Sequence, residues 1–127
     1  MITDTCLFCN LSVNRIVASD KLGIVIRDEF PVSPGHTLII LRRHVSSFFN
    51  VTSEERSSLL CLLDEAKLAL DAEFQPSGYN IGFNEGISAG QTVPHLHIHL
   101  IPRYSGDQKD PRGGVRWVIP NKAKYWL

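Results

Sequence analysis

Pro94-His95-Leu96-His97-Ile98-His99-Leu100-Ile101 sets three histidines in strict alternation with branched apolar residues. In an extended strand successive side chains point to opposite faces. His95, His97 and His99 should then project together while Leu96, Ile98 and Leu100 turn the other way, giving one wet face and one dry face. Neighbouring imidazoles on the wet face lie ~7 Å apart, so one phosphate or one metal ion can touch more than one ring. Histidine, with an ordinary pKa of ~6.5, serves as nucleophile, acid, base or ligand near neutral pH. The bland alternatives are a half-buried edge strand whose polar face is incidentally histidine, and a surface metal-scavenging tract.

Upstream of this strand, Glu85 to Val93 reads as a loop of low side-chain bulk, in which Gly86 and Gly90 let backbone N–H groups approach an anion. Tyr79-Asn80-Ile81-Gly82-Phe83-Asn84 reads as the preceding strand. Before it, Thr52-Ser53-Glu54-Glu55 has the form of a capping box. Leu59, Leu62 or Leu63, Ala66, Leu70 and Phe74 then recur at helical spacing, with Cys61 expected in the apolar face, until Pro76-Ser77-Gly78 stops the helix. Val45 to Asn50 should form a short helical turn carrying Phe48 and Phe49 inward.

Thr37-Leu38-Ile39-Ile40-Leu41 is nearly all apolar and therefore central in a sheet. The rigid loop Phe30-Pro31-Val32-Ser33-Pro34-Gly35 delivers His36 into it, and Arg42, Arg43 and His44 end it. Ile16-Val17-Ala18 and Leu22 to Arg27, joined by Ser19-Asp20-Lys21, read as a partly buried hairpin. Short connections and one long helix predict an α+β fold, an antiparallel sheet of about five strands with the helix packed on one face.

The 127 residues suit one domain, and 13 Lys plus Arg against 13 Asp plus Glu leave no net charge. No electrostatic case exists for general nucleic-acid or membrane binding. Met1 to Asn10 lacks a cationic region followed by an apolar run, and no stretch approaches the ~20 apolar residues of a membrane span, so a cytoplasmic location is expected. Three cysteines, two of them as Cys6-Leu7-Phe8-Cys9, make no disulfide framework, and such a pair is more often metal-binding or redox-active. A thioredoxin-like role fits poorly, since no helix follows Cys9 and no βαβ pattern surrounds it. Residues 107–127, after a domain of residues 1–106, form an aromatic tail with Trp117, Tyr125 and Trp126, expected to dock on the domain or on a second subunit.

The triad admits two chemistries. A central histidine such as His97 can attack phosphorus if an acceptor fixes its tautomer, with flanking histidines on the phosphate and backbone N–H groups of Gly90-Gln91-Thr92 on the developing charge. Alternatively, three histidines hold a catalytic zinc with an open position, although no H-E-x-x-H motif or carboxylate pair supports a zinc hydrolase.

His95-Leu96-His97-Ile98-His99-Leu100-Ile101 resembles the His-φ-His-φ-His-φ-φ pattern (φ apolar) of the histidine triad, or HIT, superfamily of nucleotide hydrolases and transferases, diadenosine polyphosphate hydrolases among them. Gly90-Gln91-Thr92-Val93 is similar to that family's phosphate loop, and Pro34-Gly35-His36-Thr37-Leu38-Ile39-Ile40 to its strand entry. The resemblance runs from about Cys6 to Tyr104 and implies the HIT-like fold. It implies a nucleotidyl hydrolase or transferase cleaving at the α-phosphate of a dinucleoside polyphosphate or nucleoside phosphoramidate through a nucleotidyl-histidine intermediate.

The resemblance makes His97 the nucleophile, His99 the contact to phosphate and bridging atom, and His36 their hydrogen-bonded support. Asn84, Gly90, Gln91 and Thr92 would line the phosphate site, and Ile26, Asp28 and Phe30 a pocket for adenine or another purine nucleoside. Asp28 is the candidate for the ribose hydroxyls. By the same resemblance Cys6, Cys9, His44 and His95 would bind a structural zinc, none being required for chemistry, and the protein would be a homodimer. A non-enzymatic nucleotide-binding or scaffolding module using the same pocket is the competing class.

Overall fold

The computed structural model describes residues 5–127; the first four residues of the leading segment Met1 to Asn10 lie outside the described residues. A run that is apolar at every position cannot leave either face to water. Thr37–Leu41 accordingly forms the middle strand, β3, with all its residues buried. β1 (Ile16–Ser19) and β2 (Gly23–Arg27) make the expected hairpin, and β4 (Gly78–Gly82) and β5 (His97–Arg103) complete an antiparallel sheet in the order β1-β2-β3-β5-β4.

The single long helix α1 (Ser53–Phe74) begins at the capping box. Thr52 accepts from the Glu55 N–H at 3.1 Å, and Glu55 accepts from the Thr52 N–H at 2.8 Å. It ends at Gln75, whose left-handed φ of 52° precedes Pro76. Leu59, Leu62, Ala66 and Leu70 pack on Val25, Ile39, Leu41, Ile98 and Leu100, each large side chain contributing about 1.5–3 kcal/mol by burial. The helix crosses β2 so closely that a Cβ on Gly23 would meet Leu62 Cδ1 at 2.7 Å. No helix among the described residues is long and apolar enough to cross a membrane.

Glu55 is buried, and Arg43 donates to both its carboxylate oxygens at 2.8 and 3.0 Å, which holds its carboxyl down to about 2. A depressed carboxyl contributes stability above its unfolded pKa and loses it as pH falls. Thermal melts should therefore show stability declining from about pH 4.3 toward pH 2, with a shallower decline in Glu55→Gln. Glu55→Ala should cost about 2 kcal/mol at neutral pH through the lost cap and the unpaired Thr52 N–H.

Several sequence expectations are corrected. Cys61 is exposed, because it falls one residue outside the stripe set by Leu59, Leu62 and Ala66. Phe48 packs against the core, whereas Phe49 points outward, as adjacent residues of a tight turn must. β1 is an edge strand with only Ile16 partly buried. β4 stops at Gly82, so Phe83 and Asn84 belong to the following loop. β5 starts at His97, two residues later than the histidine alternation suggests.

The face of the sheet opposite the helix is not simply wet. Ile24, Ile26, Leu38 and Ile40 form a second apolar cluster there, and Phe8, Leu11 and Ile16 pack against it. The segment after the first cysteine thus crosses the histidine face.

Candidate active site and metal centre

Register places the histidines. Leu38 pairs with His99 and Ile40 with His97 across β3 and β5, so both rings stand on the face covered by the N-terminal segment. His95 does not join them. It lies before the strand, is fully buried, and turns its ring to Cys6, Cys9 and His44. The wet row of three expected from alternation is therefore a pair plus one buried ligand-like ring.

Hydrogen bonds assign the tautomers. The Val32 N–H donates to His36 Nδ1 at 3.1 Å, so the His36 proton sits on Nε2 and is donated to His99 Nδ1 at 3.0 Å. His99 in turn carries its proton on Nε2, a donor pointing away from His36. Burial first, and then the neighbouring His97 and His36, push the His99 pKa down to about 4. Burial also lowers His36, against the attraction of Asp28, whose Oδ2 lies 3.4 Å from His36 Nε2. His97 donates from Nδ1 to the His95 carbonyl at 2.9 Å, which leaves a lone pair on its Nε2. One ring thus presents an acceptor nitrogen and its neighbour a donor. Nitrogen-15 shifts of His99 should report the neutral Nε2–H tautomer from about pH 8 down to pH 5 and change only near 4.

Both rings line a cavity of ≈ 540 Å³, a size suited to a small-molecule ligand. Its wall also includes Ile26, Asp28 and Phe30 on one side and Asn84, Gly90, Gln91 and Thr92 on the other. His36 acts from behind His99 and does not line it.

The loop differs in detail from expectation. The Gly90 N–H is taken by the Ile87 carbonyl and the Gln91 N–H by the Gly86 carbonyl, while Gly86 and Gly90 adopt φ of 91° and 94°. The Gln91 side chain accepts from the Gly86 N–H and donates to the Ser46 and Val93 carbonyls, bracing the turn. Thr92 and Val93 line the cavity, and their N–H groups meet no acceptor among the described residues. Asp28 Oδ1 accepts from the Phe30 N–H at 2.8 Å, which fixes the carboxylate at the cavity rim.

The sequence reading missed Leu7, Phe8, Asn10, Leu11, Ser12 and Arg15, which form a further wall. Phe8 stands edge-on to His97, with ring centroids 4.9 Å apart. The signal was present: Leu7 and Phe8 lie between the two cysteines, so any ligand that gathers those cysteines beside the histidine strand also brings these side chains there.

Cys6 Sγ, Cys9 Sγ, His44 Nδ1 and His95 Nδ1 all lie within 4.8 Å of one another. The separations are 3.2 Å between the two nitrogens, 3.3 Å for Cys6 to His95 and for Cys9 to His44, and 3.5 Å for Cys9 to His95. A tetrahedral zinc with ordinary bond lengths has edges of about 3.3 Å between nitrogens and about 3.6 Å between nitrogen and sulfur. The donor set and spacing fit. His95 Nε2 donates to the Leu41 carbonyl at 2.6 Å, which aims Nδ1 at the cluster in the manner of an outer-shell partner. Burial pushes the Cys6 thiol up and the His95 ring down. A divalent cation offsets the first and suits the second, since it binds thiolate and neutral imidazole.

An antiparallel α+β domain with this His97–His99–His36 arrangement at the floor of one cavity defines the histidine-triad class of proteins. A family model described as the HIT domain matches residues 12–106, and the chain belongs to the HIT family. An "Uncharacterized HIT-like protein" of Mycoplasma genitalium is 37% identical over 107 residues, covering 80% of this chain and 75% of that protein. The asymmetrical bis(5'-nucleosyl)-tetraphosphatase of Schizosaccharomyces pombe is 39% identical over 94 residues, covering 74% of this chain and 52% of that protein. A crystal structure of a HIT family protein from Bacillus anthracis superimposes with a TM-score of 0.73 at 38% identity, covering 80% of this chain and 74% of that one.

Proposed function

We propose that the protein is a nucleotidyl hydrolase that cleaves at the α-phosphate of a dinucleoside polyphosphate or nucleoside phosphoramidate. The observation that carries this reading is the hydrogen-bond chain, which leaves an acceptor nitrogen on His97 beside a donor nitrogen on His99 at one cavity floor. His97 Nε2 attacks the α-phosphorus; the N–P bond forms as the bond to the bridging atom breaks, and the leaving group takes the electron pair, departing as a phosphate anion from a polyphosphate or, with a proton taken up from solvent, as the neutral amine from a phosphoramidate. The His99 Nε2–H steadies that bridging atom, and the Thr92 and Val93 N–H groups steady the equatorial oxygens. Water then attacks phosphorus, the electron pair of the N–P bond returns to Nε2, the water's proton passes to solvent, and nucleoside monophosphate leaves.

Ile26 at the cavity floor and Phe30 at its rim flank a purine in this reading, and Asp28 accepts from the ribose hydroxyls. Zinc on Cys6, Cys9, His44 and His95 is structural: it ties the N-terminal wall to the strand and takes no part in the transfer. The reading includes a homodimer, supported by β4, an edge strand that leaves Ile81 exposed.

The test is release of AMP from diadenosine tetraphosphate and from an adenosine phosphoramidate, assayed in parallel. Turnover of either supports the hydrolase. AMP binding with no turnover of either supports a nucleotide-binding module instead.

A further inference from the structure

β5 carries the histidine face past the cavity just described. His97, His99, Ile101 and Arg103 alternate with buried Ile98, Leu100 and Pro102, so Ile101 and Arg103 stand on the same side as the two imidazoles. Ile101 is one strand repeat beyond His99, a step of about 6.6 Å, and Arg103 is one further. Asn80 of β4 pairs with Ile101 and lies on this face too. Here the C-terminal tail folds over the sheet: a Cβ on Gly114 would meet Asn80 Nδ2 at 3.2 Å.

Between tail and sheet lies a second cavity of ≈ 650 Å³, walled by Asn80, Ile101 and Arg103 below and by Lys109, Asp110, Trp117 and Lys124 above. A neighbouring depression of ≈ 550 Å³ shares Asn80, Ile101 and Arg103 with it and reaches Val32, in the loop that donates to His36. The tail holds five Lys and Arg against two Asp over residues 107–127 in a chain of zero net charge. Its carboxylates are already committed, Asp107 to Arg103 and Asp110 to Arg112. Lys109 and Lys124 make no direct ion pair among the described residues, though Lys124 lies near enough to the Asp110 carboxylate to act on it. The Trp117 indole donates to the Arg112 carbonyl at 2.8 Å, which fixes the ring while 40% of the residue stays exposed.

We propose that this second cavity is the leaving-group subsite, which takes the distal phosphates and second nucleoside of a dinucleoside polyphosphate. The proposal rests on the hydrolase reading and narrows its substrate class. Cationic Lys109 and Lys124 receive the phosphates beyond the scissile bond, and the terminal base lies against Trp117. One to two strand repeats separate the subsite from His99, a distance that a triphosphate or tetraphosphate bridge spans and an amine leaving group does not. The cavity volume is within the range that accommodates a nucleotide-sized ligand.

The experiment measures kcat/KM for diadenosine tetraphosphate and for adenosine phosphoramidate, whose leaving group is ammonia, with wild type, Lys109→Ala/Lys124→Ala and Trp117→Ala. The ratio of the first substrate to the second should fall about tenfold in each variant, the scale of one lost base–aromatic contact or of desolvated charge contacts. Lys109 and Lys124 are both exposed, so the lysine pair remains decisive if Trp117→Ala loosens the tail. A ratio within twofold of wild type in the lysine variant overturns the subsite while leaving the hydrolase intact. If wild type turns over neither substrate, the hydrolase reading fails separately. The subsite is then judged by binding of a methylene-bridged dinucleoside tetraphosphate relative to AMP, and equal relative affinity in wild type and lysine variant overturns it.

Discussion

His97→Asn should lower turnover of the preferred substrate by about ten-thousand-fold or more, while AMP affinity changes little. Asparagine keeps a polar side chain that can reach the His95 carbonyl, to which His97 Nδ1 now donates at 2.9 Å. It offers no second ring nitrogen with a lone pair. The loss should therefore fall on kcat and not on the proposed nucleoside pocket, whose walls at Ile26, Asp28 and Phe30 are untouched. Steady-state kinetics with calorimetric AMP binding reads both quantities. A variant retaining a tenth or more of wild-type kcat would remove His97 from the role of nucleophile. His99 is not an equal replacement, since its Nδ1 accepts from His36 and its remaining nitrogen carries a proton.

The second large effect concerns the four-residue cluster. Protein purified without a histidine tag should contain about one zinc per chain, and both a strong chelator and His44→Ala should destabilise it by about 3–5 kcal/mol, or roughly 10–20 °C in Tm. The size follows from what the cluster joins. Cys6 and buried His95 are 89 positions apart in sequence, and their side chains approach to 3.3 Å. Losing the link frees the segment that covers Ile24, Ile26, Leu38 and Ile40. It also releases Phe8 from the edge of His97, so KM should rise with metal loss even though the cluster supplies no reacting group. Metal analysis and melting curves decide it: no zinc, together with an unchanged Tm in His44→Ala, would remove the metal from this account.

Much of the architecture was legible in order along the chain. Thr37–Leu41 announces a doubly buried strand because it has no polar position to offer water. Thr52 and Glu55 announce the helix start because their side chains satisfy each other's backbone donors. The histidine pattern identified the strand that floors the cavity, but alternation alone misplaced His95. Strand geometry begins only at His97, and two earlier residues are enough to turn a ring out of the row. Cys61 illustrates the same limit on a helix, where a shift of one residue, about 100° of rotation, separates core from solvent.

The roles of individual nitrogen atoms were beyond sequence reading. Local patterning follows from backbone periodicity, so within the strand proper residues 97–101 specify which side chains share a face. Protonation sites depend instead on partners remote in sequence: Val32 fixes His36, and His36 fixes His99 across 63 positions. The same holds for the donors of the loop before β5, where Gly90 and Gln91 spend their N–H groups inside the turn and Thr92 and Val93 keep theirs. The chain's own order of residues determines the strands, the helix and the family. Only long-range packing decides that the N-terminal segment walls the cavity, that His95 faces the cysteines, and that one imidazole accepts where its neighbour donates, because a hydrogen bond is specified by the positions of two groups and not by the identity of either.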